Sequence, residues 1–423
     1  MNIRTIIEYV LAVILVLILG GLAGWYFFLR TQTKTITSQS AARGFDTAIP
    51  QGNADGVSGL SPTGVSPSTP AQSSSPQTST PAQRPPQLWH VETKPVAGQT
   101  FVGSGGGLRL RYVERASGYV FEADPATGQF LRLSNTLLPK VYEAVLTENG
   151  HVFVRSLDSG GSITTFAGTV STSTSSASSS AARTLLGSYL AKNIASMGAH
   201  PQSGSLFYLV KNADGVSGVT SDWNGAKLKT IFASTIPSWR PTVLGDGRII
   251  LVQAAADNVA GYAYELKKDG TLSPIAGPVS GLTMLVRPLT EKNAPNAFLF
   301  GQSVRGTMTL FVRVGQNATA VQLPIKTLAD KCVWGKGKEL VAYCGVPQGL
   351  PSQNYLDEWY RGAVHSSDAL WRINASAGSA ELLYTPPSNT PIDIEKMSID
   401  RGANYITFTN AADGSLWLLR LAK

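Results

Sequence analysis

A tight turn followed by an apolar strand recurs along this chain: Glu148-Asn-Gly before Val152, Gln202-Ser-Gly before Leu206, Gly245-Asp-Gly before Ile249 and Asp400-Arg-Gly before Tyr405. Asn-Gly and Asp-Gly supply the positive φ that hairpin turns need. Further along each repeat a second glycine (Gly128, Gly225, Gly270, Gly315, Gly378) falls between two outer strand patterns. The steps from Gly225 to Gly270 and from Gly270 to Gly315 are each 45 residues, and the next is 63 because residues 347–366 are inserted. A unit of about 45 residues holding four short strands cannot bury both its faces alone, so such units must pack against copies of themselves.

Written out, the units cover 96–137, 139–190, 193–234, 238–277, 281–325 and 329–387, with a seventh beginning near Ile392. In the first, strands are expected near Thr100, over Leu108–Glu114, over Tyr119–Ala123 and over Phe130–Ser134. The seventh has only three before the sequence ends: Lys396–Ile399, Tyr405–Thr409 and Leu416–Leu421. A lone apolar strand at the other end, Leu88-Trp-His-Val-Glu, is the natural fourth. Pairing it with Leu416–Leu421 closes a ring and removes two open strand edges. The sequence therefore predicts an all-β, seven-bladed β-propeller closed by an N-terminal strand; six or eight blades, or two stacked β domains, are the rival architectures.

On repeat length, strand pattern and ring closure, residues 88–423 resemble WD40-like and TolB-like propellers. The arrangement of anchor and spacer described next is similar to that of uncharacterised bacterial membrane-anchored propellers. No Trp-Asp dipeptide ends the blades and no Asp-box of the sialidase kind occurs, so the resemblance implies a fold and carries no activity over.

Ahead of the repeats, Tyr9–Leu29 contains no charged residue. As a helix rising 1.5 Å per residue it would span roughly 31 Å, enough to cross a bilayer. Trp25 and Tyr26 fall near one end and Arg30 closes it, so residues 1–30 are expected to be a transmembrane signal anchor. A cleaved signal peptide is the rival, although its apolar core is usually shorter. Residues 31–86 are dominated by Ser, Thr, Pro, Gln, Gly and Ala, too poor in apolar groups to offset the entropy of folding, and read as a disordered stalk. Basic residues lie on both sides of the span, Arg4 before it and Arg30, Lys34 and Arg43 after it, so charge does not fix orientation. From the short leading tail and the stalk, residues 87–423 are expected outside the cell membrane.

The formal net charge is +8, but the Lys and Arg are dispersed, so no nucleic-acid partner is expected. Only Cys332 and Cys344 occur, centred on the Gly/Lys turn at Lys338. A symmetric hairpin sets them opposite one another, within disulfide range, and an oxidising compartment favours the bond over two reduced core thiols. Two cysteines without a neighbouring His are too few ligands for a metal site, no cofactor motif occurs, and no catalytic residue can be assigned. The four histidines are scattered, and Gly103-Ser-Gly-Gly-Gly precedes no helix, so it reads as a turn.

The unusual segment is the 347–366 insertion, between the second and third strands of blade six. Loops at that position share a face with the connections between blades. Tyr355, Trp359, Tyr360 and Arg361 are residue types enriched at binding hot spots, with Asp357, Glu358 and His365 beside them. Trp239 and Arg240, and Asp393 and Glu395, are expected on the same face from the starts of blades four and seven. These residues are the candidate surface for a protein or glycan partner. The alternatives are a structural plug over the blades, or a hydrolase or lyase site using Asp357, Glu358 or His365.

Overall fold

The structure, a computed structural model, describes residues 84–170, 184–289, 294–349 and 353–421. The expected anchor, almost all of the stalk and the Ser/Thr run 171–180 lie outside the described residues. Among those described, no helix is long and apolar enough to cross a membrane.

Seven four-stranded antiparallel sheets form a β-propeller. In six of them the strands follow chain order. Blade one, for example, comprises Val96–Val102, Arg109–Glu114, Val120–Ala123 and Phe130–Arg132. The exception is blade seven, whose strands Ile394–Ile399, Tyr405–Asn410 and Leu416–Arg420 are completed by Leu88–Glu92 on the outside. Leu88 stands opposite Leu419, Trp89 opposite Leu418 and His90 opposite Trp417. His90 stacks on the Trp417 ring at 4.0 Å. The tie continues outward, since Arg420 N–H donates to the Gln87 carbonyl at 2.8 Å and its guanidinium to that of Pro85 at 3.1 Å.

The second strand of each blade alternates, but buries apolar side chains on both of its faces, because each blade has a neighbour on either side, whereas the outer strands are largely exposed. In the second strand of blade three, Leu206 and Tyr208 pack toward blade two while Phe207 and Leu209 pack toward blade four. The same division recurs around the ring, giving one apolar cluster at each of the seven blade junctions. At the centre, inner strands approach so closely that a Cβ on Gly98 would lie 2.0 Å from the Ala144 carbonyl oxygen.

Trp239 belongs to this core and not to the surface expected of it. It is 4% exposed, meets Phe232 and Tyr264 edge-on, and donates its indole N–H to Ser234 Oγ at 3.0 Å. As the first residue of an inner strand flanked by two blades, its ring has an apolar slot on the blade-three side, and burial there outweighs display.

In blade six, Cys332 pairs with Cys344 across the first two strands, their Cα atoms 4.1 Å apart and their sulfurs bonded.

Ring closure generates a prediction. Deleting Leu88–Glu92 removes buried Val91 and the half-buried Leu88 and Trp89, and opens an edge of blade seven. A loss of about 5 kcal/mol is expected at about 1.5–3 kcal/mol per large apolar side chain, whereas deleting residues 35–80 leaves the melting temperature unchanged. Equal melting temperatures for the two deletions would contradict closure.

Candidate functional site

The insertion folds into a short helix, α1, over Tyr355–Tyr360. Its apolar side is buried: Tyr355 (2% exposed) and Leu356 (0%) pack with Met308 and Leu328 of blade five and its exit. A turn in blade five makes room for it. Gly306 has φ +73°, and a Cβ there would lie 1.7 Å from the Gln353 carbonyl oxygen. On the blade-four side, Asp357 accepts the backbone N–H of Asp257 at 2.9 Å, while Asp257 accepts from Ser303 Oγ at 2.6 Å. The helix is thus bolted across blades four and five by polar contacts at its edge and apolar ones beneath.

Under its other side lies a buried charge cluster. Lys331 Nζ, fully buried, meets Asp368 Oδ2 at 2.7 Å, Ser366 Oγ at 2.8 Å and the Asp393 carboxylate. Asp393 also accepts the Trp359 indole N–H at 3.0 Å, and His365 Nδ1 lies 3.0 Å from its other oxygen. Backbone N–H groups complete the arrangement, Ile394 donating to Asp368 at 2.8 Å. The lysine ammonium stands 5.1 Å from the Trp359 ring centre and 5.9 Å from that of Tyr355, within cation–π range. The three charged groups come from three places in the chain: the link from blade five to six, the third strand of blade six, and the link from six to seven.

Electrostatics fix the protonation states. Burial alone would lower the Lys331 pKa, but Asp368, Tyr355 and Asp393 raise it above the ordinary lysine value, so the group stays charged. Burial pushes Asp393 up, and Lys331, Trp359 and His365 together hold it below the usual carboxylate range. At Asp368 burial prevails and the pKa is raised, with Lys331 and Ser366 opposing. Ser366 Oγ, 2.8 Å from Lys331 Nζ and 2.9 Å from the Tyr355 hydroxyl, has the composition of a nucleophile beside a base. Ser366 accepts from Lys331 and donates to Asp368 at 2.8 Å, so it is one member of a closed, buried knot.

A second contact set joins α1 to the start of blade four. Arg240 donates to Asp330 at 3.1 Å and lies over the Tyr360 ring at 4.1 Å. The Tyr360 hydroxyl donates to the same Asp330 carboxylate. Burial, then Asp330, raises its pKa well above the ordinary tyrosine value, which keeps it the donor.

The sequence-derived residues therefore separate. Arg240, Tyr360, Trp359 and His365 do converge on one face with Asp393, while Arg361 is exposed at the end of α1. Tyr355 is corrected from a surface contact to a buried support, because the small helix has no other apolar side to set against blade five. Asp393, expected beside the surface, is instead the buried acceptor that α1 hangs on. Glu395 turns elsewhere, accepting from Thr409 Oγ1 at 3.0 Å. Sequence reasoning missed Lys331, Asp330, Asp368 and Asp257. A signal was present: charged residues stand immediately before apolar strands at Asp330-Lys331, Asp368 and Asp393, all at the end of the blades where the insertion emerges.

No family model and no curated protein matches this sequence. Solved structures similar to it include a streptogramin B lyase (12% identity, 79% of this chain and 97% of that one, TM-score 0.45). Others are the β-propeller domain of Cps50 (Swd1) from Myceliophteria thermophila (9%, 79% and 100%, 0.49) and an auxiliary nutrient binding protein from Bacteroides ovatus (10%, 78% and 70%, 0.42). At these identities nothing about chemistry transfers, and the fold rests on the chain's own seven sheets.

The knot predicts a ranking of stabilities. Lys331→Met leaves two buried carboxylates facing each other and is expected to cost about 3–5 kcal/mol. Trp359→Ala removes a half-buried ring and a donor to Asp393, at about 3 kcal/mol, while Arg361→Ala at an exposed site stays within about 0.5 kcal/mol. Thermal melts order the three, and equal values for Trp359→Ala and Arg361→Ala would return Trp359 to the surface. Because its pKa is lowered on folding, Asp393 stabilises fully above the ordinary carboxylate range and less as pH falls through its folded value; Asp368 has the opposite sign. The gap between wild type and Asp393→Asn should accordingly narrow in acid.

Proposed function

We propose that the chain is an interaction module displayed outside the cell: a propeller held by a membrane anchor (residues 1–30) on an extended stalk (31–86), presenting the face that carries α1 to a protein or glycan partner. One observation carries this reading. Asp357 of the insertion, with Lys331 and Asp393 beneath it, is engaged in fixing α1, which leaves a stiff edge formed by Arg361, the exposed His365 above Asp393, Trp359 and Tyr360, and Arg240 stacked on Tyr360. Aromatic and arginine side chains held in place before binding lose little entropy on association, and they are the types that dominate interfaces. A hydrolase or lyase reading is weakened because Asp357 accepts from the Asp257 backbone and His365 sits against Asp393.

Export is supported by the joined cysteines, because structural disulfides persist in oxidising compartments. Protein recovered from its native membrane and denatured without reductant is expected to contain no reactive thiol; two thiols per chain would argue for a reducing location. For the surface, the variant Arg361→Glu is expected to reduce capture of the partner from native membranes at least tenfold, with the melting temperature of the full chain unchanged. Undiminished capture would remove this edge from the binding role.

A further inference from the structure

At the other end of the blades, where first and second strands turn, the inner strands enclose a hollow of about 650 Å³. Its walls come from inner strands and turns of blades two to seven. The sides are apolar, with Val243, Val252, Leu285, Val333 and Met397 half-buried around it. Among the described lining residues three are charged: Glu148, Lys336 and Arg401.

Those three meet across the ring. Glu148, from the first turn of blade two, reaches Lys336 of blade six at 2.7 Å and Arg401 of blade seven at 2.8 Å. Gln202 adds a contact to the same carboxylate at 3.4 Å. Burial acts to raise the Glu148 pKa, and the two cations hold it below the ordinary value, so one negative charge faces two positive ones. Its described lining combines a greasy wall with a mouth of net charge +1, on a face that the α1 network does not touch.

We propose that this hollow is a binding site for a small amphipathic anion, whose apolar body lies against Leu285, Val333 and Met397 and whose carboxylate-like head takes the place of Glu148 on Lys336 and Arg401. The volume is that of a small-molecule site, which typically combines a mainly apolar lining with a few convergent polar groups. Charge complementarity selects the head: an anion gains two charge-assisted partners, while a cation meets a surplus of positive charge. Glu148 then acts as an internal stand-in that a ligand displaces, so the empty site keeps its cations paired.

The test uses the full chain in lipid nanodiscs, with empty discs as reference, titrated calorimetrically with 4-phenylbutyrate, neutral 4-phenylbutyramide and 4-phenylbutylamine. Saturable binding of the carboxylate, at least tenfold tighter than either counterpart, is expected. Lys336→Gln with Arg401→Gln should weaken it about tenfold and abolish the preference for the anion, and Glu148→Gln should tighten it several-fold by removing the competitor. Val333→Gln should weaken carboxylate and amide alike, and melting temperatures near wild type establish that the variants are folded. Equal affinity for carboxylate and amide, or tighter binding by the double variant, would overturn the assignment of the head. Failure of all three probes to saturate folded wild-type protein would overturn the site.

Discussion

Every blade of this protein has two apolar faces, and that single constraint organises the rest. A sheet with one oily side can rest on a partner and show its other side to water. A sheet with two must be flanked on both sides, and the only finite arrangement that flanks every member equally is a closed ring. Leu206 with Tyr208 and Phe207 with Leu209 express the rule within four consecutive residues, turning alternately to blade two and blade four. The strand Leu88–Glu92 matters for the same reason. It supplies the outer edge of blade seven from the opposite end of the described chain, so the two ends are joined by a backbone ladder rather than by side chains alone.

Once the ring exists, its two ends acquire different characters. Where the insertion emerges, polar groups are drawn into a low-dielectric space and must satisfy one another, and Lys331 with Asp368 and Asp393 is the result. Such a cluster adds little net stability over apolar packing, but removing one member is costly, so it specifies one geometry strongly. That specificity gives a six-residue helix a fixed place, although a helix so short would not persist in isolation. At the opposite end, among the described residues, the inner strands leave an apolar hollow across which Glu148 pairs with its two cations. The edge proposed for a large partner and the recess proposed for a small one therefore lie at opposite ends of the ring.

The repeat of turn and strand, the insertion at 347–366, the opposed Cys332 and Cys344, and the need for Leu88–Glu92 as a fourth strand are all legible in the chain, because each depends on neighbours close in sequence or on a period that counting reveals. Convergence of Arg240, Tyr360, Trp359 and His365 follows from the same logic, since loops at corresponding places in successive blades share a face. The sequence by itself thus determined the architecture and the end of the ring where the insertion sits. Burial and partnership were decided only by the tertiary structure. Trp239 and Trp359 look alike as aromatic residues near the ends of blades, yet one fills a slot between blades three and four and the other caps a buried carboxylate. Lys331, Asp368 and Asp393 lie 37 residues apart or more along the chain in their pairings with the lysine, and Glu148 finds Arg401 at a separation of 253. No local pattern encodes such pairs, because the energy of a charge is set by the dielectric and the counter-charges around it, and these exist only after the ring has closed.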